Sequence, residues 1–176
     1  SHAIPALKRA LSLKPDYLLA RMNWATHLLK DINQPEVALK EYDAILAAPT
    51  EALRAVHIYP SPIVYGVTFE SAIRYRRFSL LMFVMSTDVS VAELDQFVKD
   101  FPGASGSWYL RAEYHLRKDN PQRALDDARH ALKLERFFVE ASAVELGALY
   151  RLHRDEEGLR NAESLVKDTP PTRENA

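Results

Sequence analysis

Apolar residues recur along this chain at the three-to-four-residue spacing of helices, and the runs end at prolines or short polar turns. Pro35 and Pro121 suit the first turn of a helix, where no backbone N–H is needed. The pattern predicts helices near residues 4–13, 17–30, 35–47, 69–86, 91–100, 106–117, 121–134, 138–153 and 156–168. Because glycines are few and apolar–polar alternation is absent, we predict an all-α protein.

A fixed period underlies these helices. The residues that end the second helix of each pair are Pro15, Pro49, Pro102, Arg136 and Pro170. Their spacing is 34 residues at every step except the second, which is 53 residues, or one period plus an insert of 19. The positions five and four residues before each of these terminators are all apolar, from Ala10 and Leu11 to Leu165 and Val166. This period is typical of helix–turn–helix units that stack on one another.

Three short motifs accompany the period: Trp108 six residues after a terminator, Leu146-Gly147-x-x-Tyr150, and Ala38-x-x-x-Tyr42. With this period and these motifs, the chain resembles the tetratricopeptide repeat family over about residues 3–49 and 70–170. It departs from the family pattern at Arg136, where a proline is usual, and at Arg21, where a tryptophan is usual.

The resemblance implies a right-handed superhelical array of antiparallel helix pairs, an α-solenoid, with one irregular insert. It divides the chain into N-terminal repeats at 1–49, the first of them truncated, an insert at 50–68, C-terminal repeats at 69–170 and a disordered tail at 171–176. The truncated first repeat leads us to expect a fragment of a longer protein. Since the end faces of such arrays are apolar unless capped, the resemblance also allows self-association through the end repeats.

The insert breaks the period. Its first part, through Ile58, is compatible with a helical turn or two, and Pro60 and Pro62 then prevent a regular helix. The next helix is apolar in every direction at Phe78 and Leu80–Met85, which predicts burial on all sides. Two interpretations stay open: the insert covers part of a concave groove as a lid, or it is a longer connection that thickens the convex side.

Composition narrows the range of functions. A net charge of −1 gives no general attraction to nucleic acid or anionic lipid. The absence of cysteine excludes disulfides, thiolate catalysis and cysteine-bound metals. No apolar run approaches the roughly 20 residues that span a bilayer. We therefore expect a soluble protein without a nucleic-acid partner, and both the cytoplasm and a bacterial periplasm fit.

Known catalytic and metal-binding motifs are missing from the sequence. The histidines are scattered, and none belongs to an H-E-x-x-H pair. Gly103 and Gly106 lack the spacing of a phosphate-binding loop, and Ser105 and Ser107 lack the tight turn that exposes a nucleophilic serine. Adjacent acids such as Asp126-Asp127 fall on helices, where carboxylates are normally solvated. We expect no catalytic residue, no metal ligand and no cofactor, and hence no enzyme.

The run Arg74-Tyr75-Arg76-Arg77 is the most basic local cluster. Arg74 and Arg77 share a helix face, from which two guanidinium groups would grip carboxylates or phosphates of a partner. The alternative is a solvated face that pairs with acids such as Glu70, four residues before Arg74.

In the family, first helices line a concave groove that holds the ligand. The resemblance implies that the groove residues here are Met22, Thr26, Tyr75, Arg76, Ser79, Tyr109 and Glu113. Such a mixed apolar and aromatic lining suits an amphipathic or extended peptide. The expected function is a non-catalytic scaffold that binds a protein or peptide segment. The alternative is a regulatory or oligomerisation domain of a larger enzyme, for example in cell-envelope or polysaccharide machinery, with the groove partly filled by the insert.

Overall fold

The computed structural model describes residues 3–56 and 68–168, and within these ranges it contains ten α-helices, one π-helical segment and no strand. This confirms the all-α prediction. Residues 57–67 of the predicted insert and the predicted tail at 171–176 lie outside the described residues. The elements are α1 (Ala3–Leu13), α2 (Leu18–Lys30), α3 (Pro35–Leu46), α4 (Thr50–Ala55), α5 (Phe69–Ser79), the π segment (Leu80–Val84), α6 (Val91–Asp100), α7 (Ser105–Arg117), α8 (Pro121–Leu134), α9 (Val139–Arg151) and α10 (Asp155–Asp168).

Local sequence signals account for the helix starts. Pro35 and Pro121 occupy the first turns of α3 and α8, as predicted. Thr68 and Ser71 form a capping box at the start of α5, in which the Thr68 hydroxyl accepts from the Ser71 backbone N–H at 3.1 Å. The short helix α4 is the helical turn anticipated at the start of the insert.

Four first helices end in the same way. In the described part of the chain, the non-glycine residues with positive φ are Asn33, Ser86, Asp119 and His153, at 54°, 52°, 57° and 56°. In this order, these residues follow α2, the π segment, α7 and α9, each by two or three residues. The distances along the chain from one of them to the next are 53, 33 and 34 residues. After α7 and α9, the backbone N–H groups of Asn120 and Arg154 close the helix onto the carbonyls of His115 and Leu149. The sequence period is therefore also a period of backbone conformation.

A second recurring contact lies at the start of the first helices. Trp108 donates its Nε1–H to the carbonyl oxygen of Pro102, six residues earlier, at 2.8 Å. Arg21 donates from Nε to the carbonyl oxygen of Pro15, also six residues earlier, at 2.7 Å. The arginine that replaces the usual tryptophan thus makes the equivalent hydrogen bond.

The predicted helix 69–86 is present as a continuous helical run over 69–84, but it is a regular α-helix only as far as Ser79. After Ser79 the backbone widens into the π segment, where the Met85 N–H donates to the Leu80 carbonyl five residues back, at 3.0 Å. Leu80 and Met82 are buried, whereas Phe83 and Val84 are exposed. The prediction of burial on all sides is wrong, because one side of this helical run is in the core and the side with Phe83 and Val84 is not.

The chain forms two compact units, Ser1–Glu93 (unit 1) and Leu94–Ala176 (unit 2). In unit 1, α2 packs on α1 and α3, and α5 packs on α3 and α4. The unit 1 core contains the fully buried side chains of Leu28, Tyr42, Ile45, Phe69 and Ile73. Burying each such side chain contributes about 1.5–3 kcal/mol. This division groups α5 with the N-terminal helices, on which it packs through α3, whereas the repeat period places α5 at the start of the repeats at 69–170.

In unit 2, each of the helices α7 to α10 packs on the next, and α7 also packs on α9. Contact between α7 and α9 means that the first helices of two consecutive pairs lie side by side. The core contains Leu94, Phe97, Leu110, Leu125, Phe138 and Leu149, all fully buried.

Candidate partner-binding surface

The predicted groove residues of unit 1 lie on α2 and α5, and all are half-buried: Met22, Thr26, Tyr75, Arg76 and Ser79. Thr26 donates its hydroxyl to the Met22 carbonyl at 3.0 Å, and both Thr26 and Arg76 hydrogen-bond to the hydroxyl of Tyr42 on α3. Two of the predicted ligand contacts therefore serve to join α2, α3 and α5.

The buried hydroxyl of Tyr42 is the centre of this junction. Burial raises the pKa of Tyr42 above its ordinary value of 10.0, and the positive charge of Arg76 and hydrogen bonding with Thr26 and Arg76 oppose the rise. The hydroxyl therefore stays protonated and neutral at physiological pH, where it acts as a structural link.

The basic cluster on α5 is engaged within unit 1. Arg74 pairs with Glu70 at 2.8 Å, and Arg77 pairs with Asp43 on α3 at 2.6 Å. The cluster was open to two interpretations, binding of a partner's anionic groups or pairing with acids of the same chain. For Arg74 the geometry supports the second. Nearby, the Ser79 Oγ is buried and has no hydrogen-bond partner among the described residues.

In unit 2 the predicted groove residues are Tyr109 and Glu113. Tyr109 is only 7% exposed and packs against Phe138, with ring centroids 5.0 Å apart. It fills the contact between helices and does not line an open surface. Glu113 pairs with Arg117 on the same helix at 2.8 Å and remains half-buried. The groove prediction is thus corrected for Tyr109, whose ring is covered by Phe138, the N-cap residue of α9.

An exposed apolar stripe on α9 was not among the predicted site residues. It consists of Val139, Ala143, Gly147 and Tyr150, which repeat at three- and four-residue intervals on one helix face, and we call it the α9 stripe. Val139 is 68% exposed and Tyr150 is 74% exposed. In the sequence, Tyr150 stands out only as part of a family motif, because a pattern shows that a helix face is apolar but not whether another helix covers it.

Charged groups on α7 border this stripe. Gly147 lies so close to α7 that an added Cβ would be 3.2 Å from the side chain of Leu116. Glu113 and Arg117 lie within one helical turn of Leu116 on α7. Arg151, next to Tyr150, donates to the Leu116 carbonyl and pairs with Asp119 at 3.4 Å. The apolar stripe is therefore flanked by groups of both charges.

A separate cleft of about 280 Å³ lies between α8, α9 and α10. Its polar wall is a network in which Arg129 binds Glu145 at 2.9 Å and also pairs with Glu157, while Asn161 donates to Glu145 at 3.1 Å. Hydrogen bonding to Glu145 is the main cause of a raised Arg129 pKa, and the same guanidinium lowers the pKa of Glu157. Arg154 also pairs with Glu157, at 2.6 Å, so the two guanidinium groups balance the two carboxylates and the network joins the helices.

Within the ranges that the structure describes, no group of three or more His, Asp or Glu side chains is placed to hold a metal ion. None of the helices in those ranges is long and apolar enough to cross a membrane. No protein-family model matches the chain, and comparisons with curated proteins and with solved structures give no match either.

Proposed function

We propose that this chain is a tetratricopeptide-like helical-repeat scaffold that binds a protein or peptide segment without catalysing a reaction. Three findings support a repeat array of this kind: the recurring positive-φ residues after the first helices, the matching hydrogen bonds of Trp108 and Arg21, and the side-by-side packing of α7 and α9. The right-handed superhelix remains part of the proposal.

The α9 stripe carries the binding proposal. Val139 and Tyr150 leave most of their apolar surface in water, and covering one such side chain with a partner contributes about 1.5–3 kcal/mol. Tyrosine is enriched among the residues that dominate binding energy, since its rigid ring buries a large area at little entropic cost. Between them, Ala143 is small and exposed and leaves room for a close approach, whereas Gly147 is half-buried against Leu116 of α7.

The flanking charges indicate the kind of partner. An extended or amphipathic peptide would place apolar side chains on the stripe and polar groups against Glu113, Arg117 and Arg151. Because both charge signs are present and paired, ion pairs there would orient the peptide more than they would strengthen its binding.

The test is selection from a random peptide display library against the purified chain, followed by calorimetry on the enriched peptides. Val139→Ser/Tyr150→Ser should weaken binding by about tenfold or more, since two apolar anchors are lost. The matched control is Val37→Ser/Leu134→Ser, which removes two other exposed apolar side chains. It should leave affinity within about twofold.

Circular dichroism and denaturant unfolding of both variants establish that each remains folded. Failure to enrich any peptide, or peptides that bind both double variants equally well, would show that the α9 stripe is not a binding surface.

A further inference from the structure

The first helix leaves one of its faces open. Ile4, Leu7 and Leu11 are half-buried on the side of α1 towards α2. A different face carries Ala6, Arg9, Ala10 and Leu13, which we call the α1 face, and Leu13 is 70% exposed. Beside it lies an apolar cleft of about 460 Å³ between α1 and α2, whose walls include Leu7, Tyr17 and Leu19. The volume of this cleft is sufficient for side chains from another helix.

The last described helix has a face with the same spacing. It carries Leu159, Ala162, Glu163 and Val166, which we call the α10 face. Leu159 is 65% exposed and Val166 is 77% exposed. In both faces the four residues stand at positions i, i+3, i+4 and i+7. The first and last of the four are apolar, and the two between them are one alanine and one charged residue.

The charges on the two faces are opposite. Arg9 lies in α1 and Lys14 directly follows it. Neither residue makes an ion pair with any described residue. Glu163 and Asp155 of α10 likewise have no ion-pair partner in the described part of the chain. Unpaired cations therefore border the α1 face. Among the described residues, two unpaired carboxylates and one unpaired lysine, Lys167, border the α10 face, and Glu163 is the charge at the centre of that face, opposite in sign to Arg9 at the centre of the α1 face.

We propose that the α1 face of one copy of this chain binds the α10 face of a second copy. The contact is heterologous, because two different surfaces meet, and every copy keeps one free face of each kind. Leu159 and Val166 would fill the cleft beside α1, while Arg9 approaches Glu163. A single helix face buries less area than the roughly 1,200–2,000 Å² of a stable complex, so the association is weak and depends on concentration. This contact does not involve the α9 stripe.

Sedimentation equilibrium over about 10 µM to 1 mM tests the proposal, in the concentration range expected for a small interface. The average mass of the unmodified chain should rise with concentration. Arg9→Glu/Leu13→Ser blocks the α1 face, and Leu159→Ser/Val166→Ser blocks the α10 face. Each blocked variant alone should remain monomeric, because its one unchanged face finds only blocked partner faces on the other copies. Mixed in equal amounts, the two variants should form a dimer and nothing larger.

Val37→Ser/Leu134→Ser serves again as the control and should associate like the unmodified chain. A monomeric unmodified chain at the highest concentration would overturn the proposal. So would self-association of either blocked variant alone, which would indicate contact between two like faces. Failure of the mixture to form a dimer would equally exclude the pairing of these two faces.

Exchange of the two charges examines the contact more finely. Arg9→Glu and Glu163→Arg should each weaken association by about tenfold, because like charges then meet across the contact. The double variant Arg9→Glu/Glu163→Arg restores opposite charges and should return affinity to within about threefold of the unmodified chain. Absence of this recovery would contradict the pairing of Arg9 with Glu163.

Discussion

The two compact units join their helices by different means. In unit 2, Arg111 on α7 makes two hydrogen bonds to Asp127 on α8, at 2.8 and 2.7 Å, and a third to Asp95 on α6 at 2.9 Å. Asp127 is buried. In unit 1, the corresponding link between α2 and α3 is the more exposed pair of Arg21 with Glu41, and the deeper link is the hydroxyl of Tyr42.

Regular spacing explains the difference. In unit 2, Arg111 binds acids 16 residues before and after it, and Glu145 binds Arg129 and Asn161, also 16 residues away on either side. In unit 1 the comparable pairs are separated by 20 and 34 residues. Helix pairs of constant length repeat a polar contact from one helix to the next in unit 2. Arg111 and Asp127 stand nine and 25 residues after Pro102, and the same positions after Pro15 in unit 1 are Trp24 and Lys40, which cannot form this ion pair.

The largest expected effect is that of Arg111→Ala. The change leaves the buried carboxylate of Asp127 without its main partner, and breaking a buried pair in this way costs about 3 kcal/mol. The Arg21→Ala change in unit 1 removes a more exposed pair and should cost about 1 kcal/mol or less. Trp108 lies in unit 2 and Trp24 in unit 1, so denaturant unfolding of Trp24→Phe and Trp108→Phe backgrounds follows each unit separately.

Arg111→Met/Asp127→Leu is the matched control, because apolar residues of similar size remove the charge and its partner together. It should recover much of the lost stability. Equal losses for Arg111→Ala and Arg21→Ala would show that the two units do not differ in the way their helices are joined.

The next effect concerns unit 1. Tyr42→Phe removes a buried hydroxyl that is hydrogen-bonded to Thr26 and Arg76, and should lower the unfolding free energy by about 1 kcal/mol. Because the folded-state pKa of Tyr42 lies above 10, its contribution is complete below pH 10 and is lost as pH rises through the folded-state value. The unmodified chain should therefore lose stability above pH 10 more steeply than the variant. Identical alkaline unfolding profiles, followed by Trp24 fluorescence, would exclude this role.

Much of the fold could be predicted from the sequence, because helix signals are local. The proline starts of α3 and α8 and the 34-residue period depend only on neighbouring residues. The π segment depends on packing around Leu80 and Met82, which no local pattern encodes. The candidate site was harder to predict for the same reason: the burial of Tyr109 and the exposure of Tyr150 are decided by which helix lies against each ring.

A third prediction uses pH to probe the buried polar region of unit 2. Burial lowers the pKa of His115 below its ordinary value of 6.5, while the nearby charge of Asp127 acts in the opposite direction. Its Nδ1 is buried and has no hydrogen-bond partner among the described residues. The unfolded chain therefore binds a proton first, and stability present above pH 6.5 is lost as pH falls through the folded-state pKa.

His115→Leu should reduce this acid-induced loss, as measured by unfolding between pH 8 and pH 5 with Trp108 as the reporter. The difference in unfolding free energy between variant and unmodified chain at pH 8, where His115 is neutral in both states, reports the change in packing alone. If the unfolding free energies of variant and unmodified chain run parallel over this range, His115 does not contribute to the acid sensitivity of unit 2.

The smallest effect compares two glycines within unit 2. An added Cβ at Gly158 would meet Leu146 and Leu149 at 3.7–3.9 Å, which is ordinary contact, so Gly158→Ala should stabilise α10 by about 0.5–1 kcal/mol through helix propensity. At Gly147 the same Cβ would lie 3.2 Å from Leu116 Cδ2, and the crowding should cancel most of the gain. Equal stabilisation by both changes, measured by denaturant unfolding, would show that Leu116 moves freely. In that case the close approach of α7 and α9 does not require a glycine.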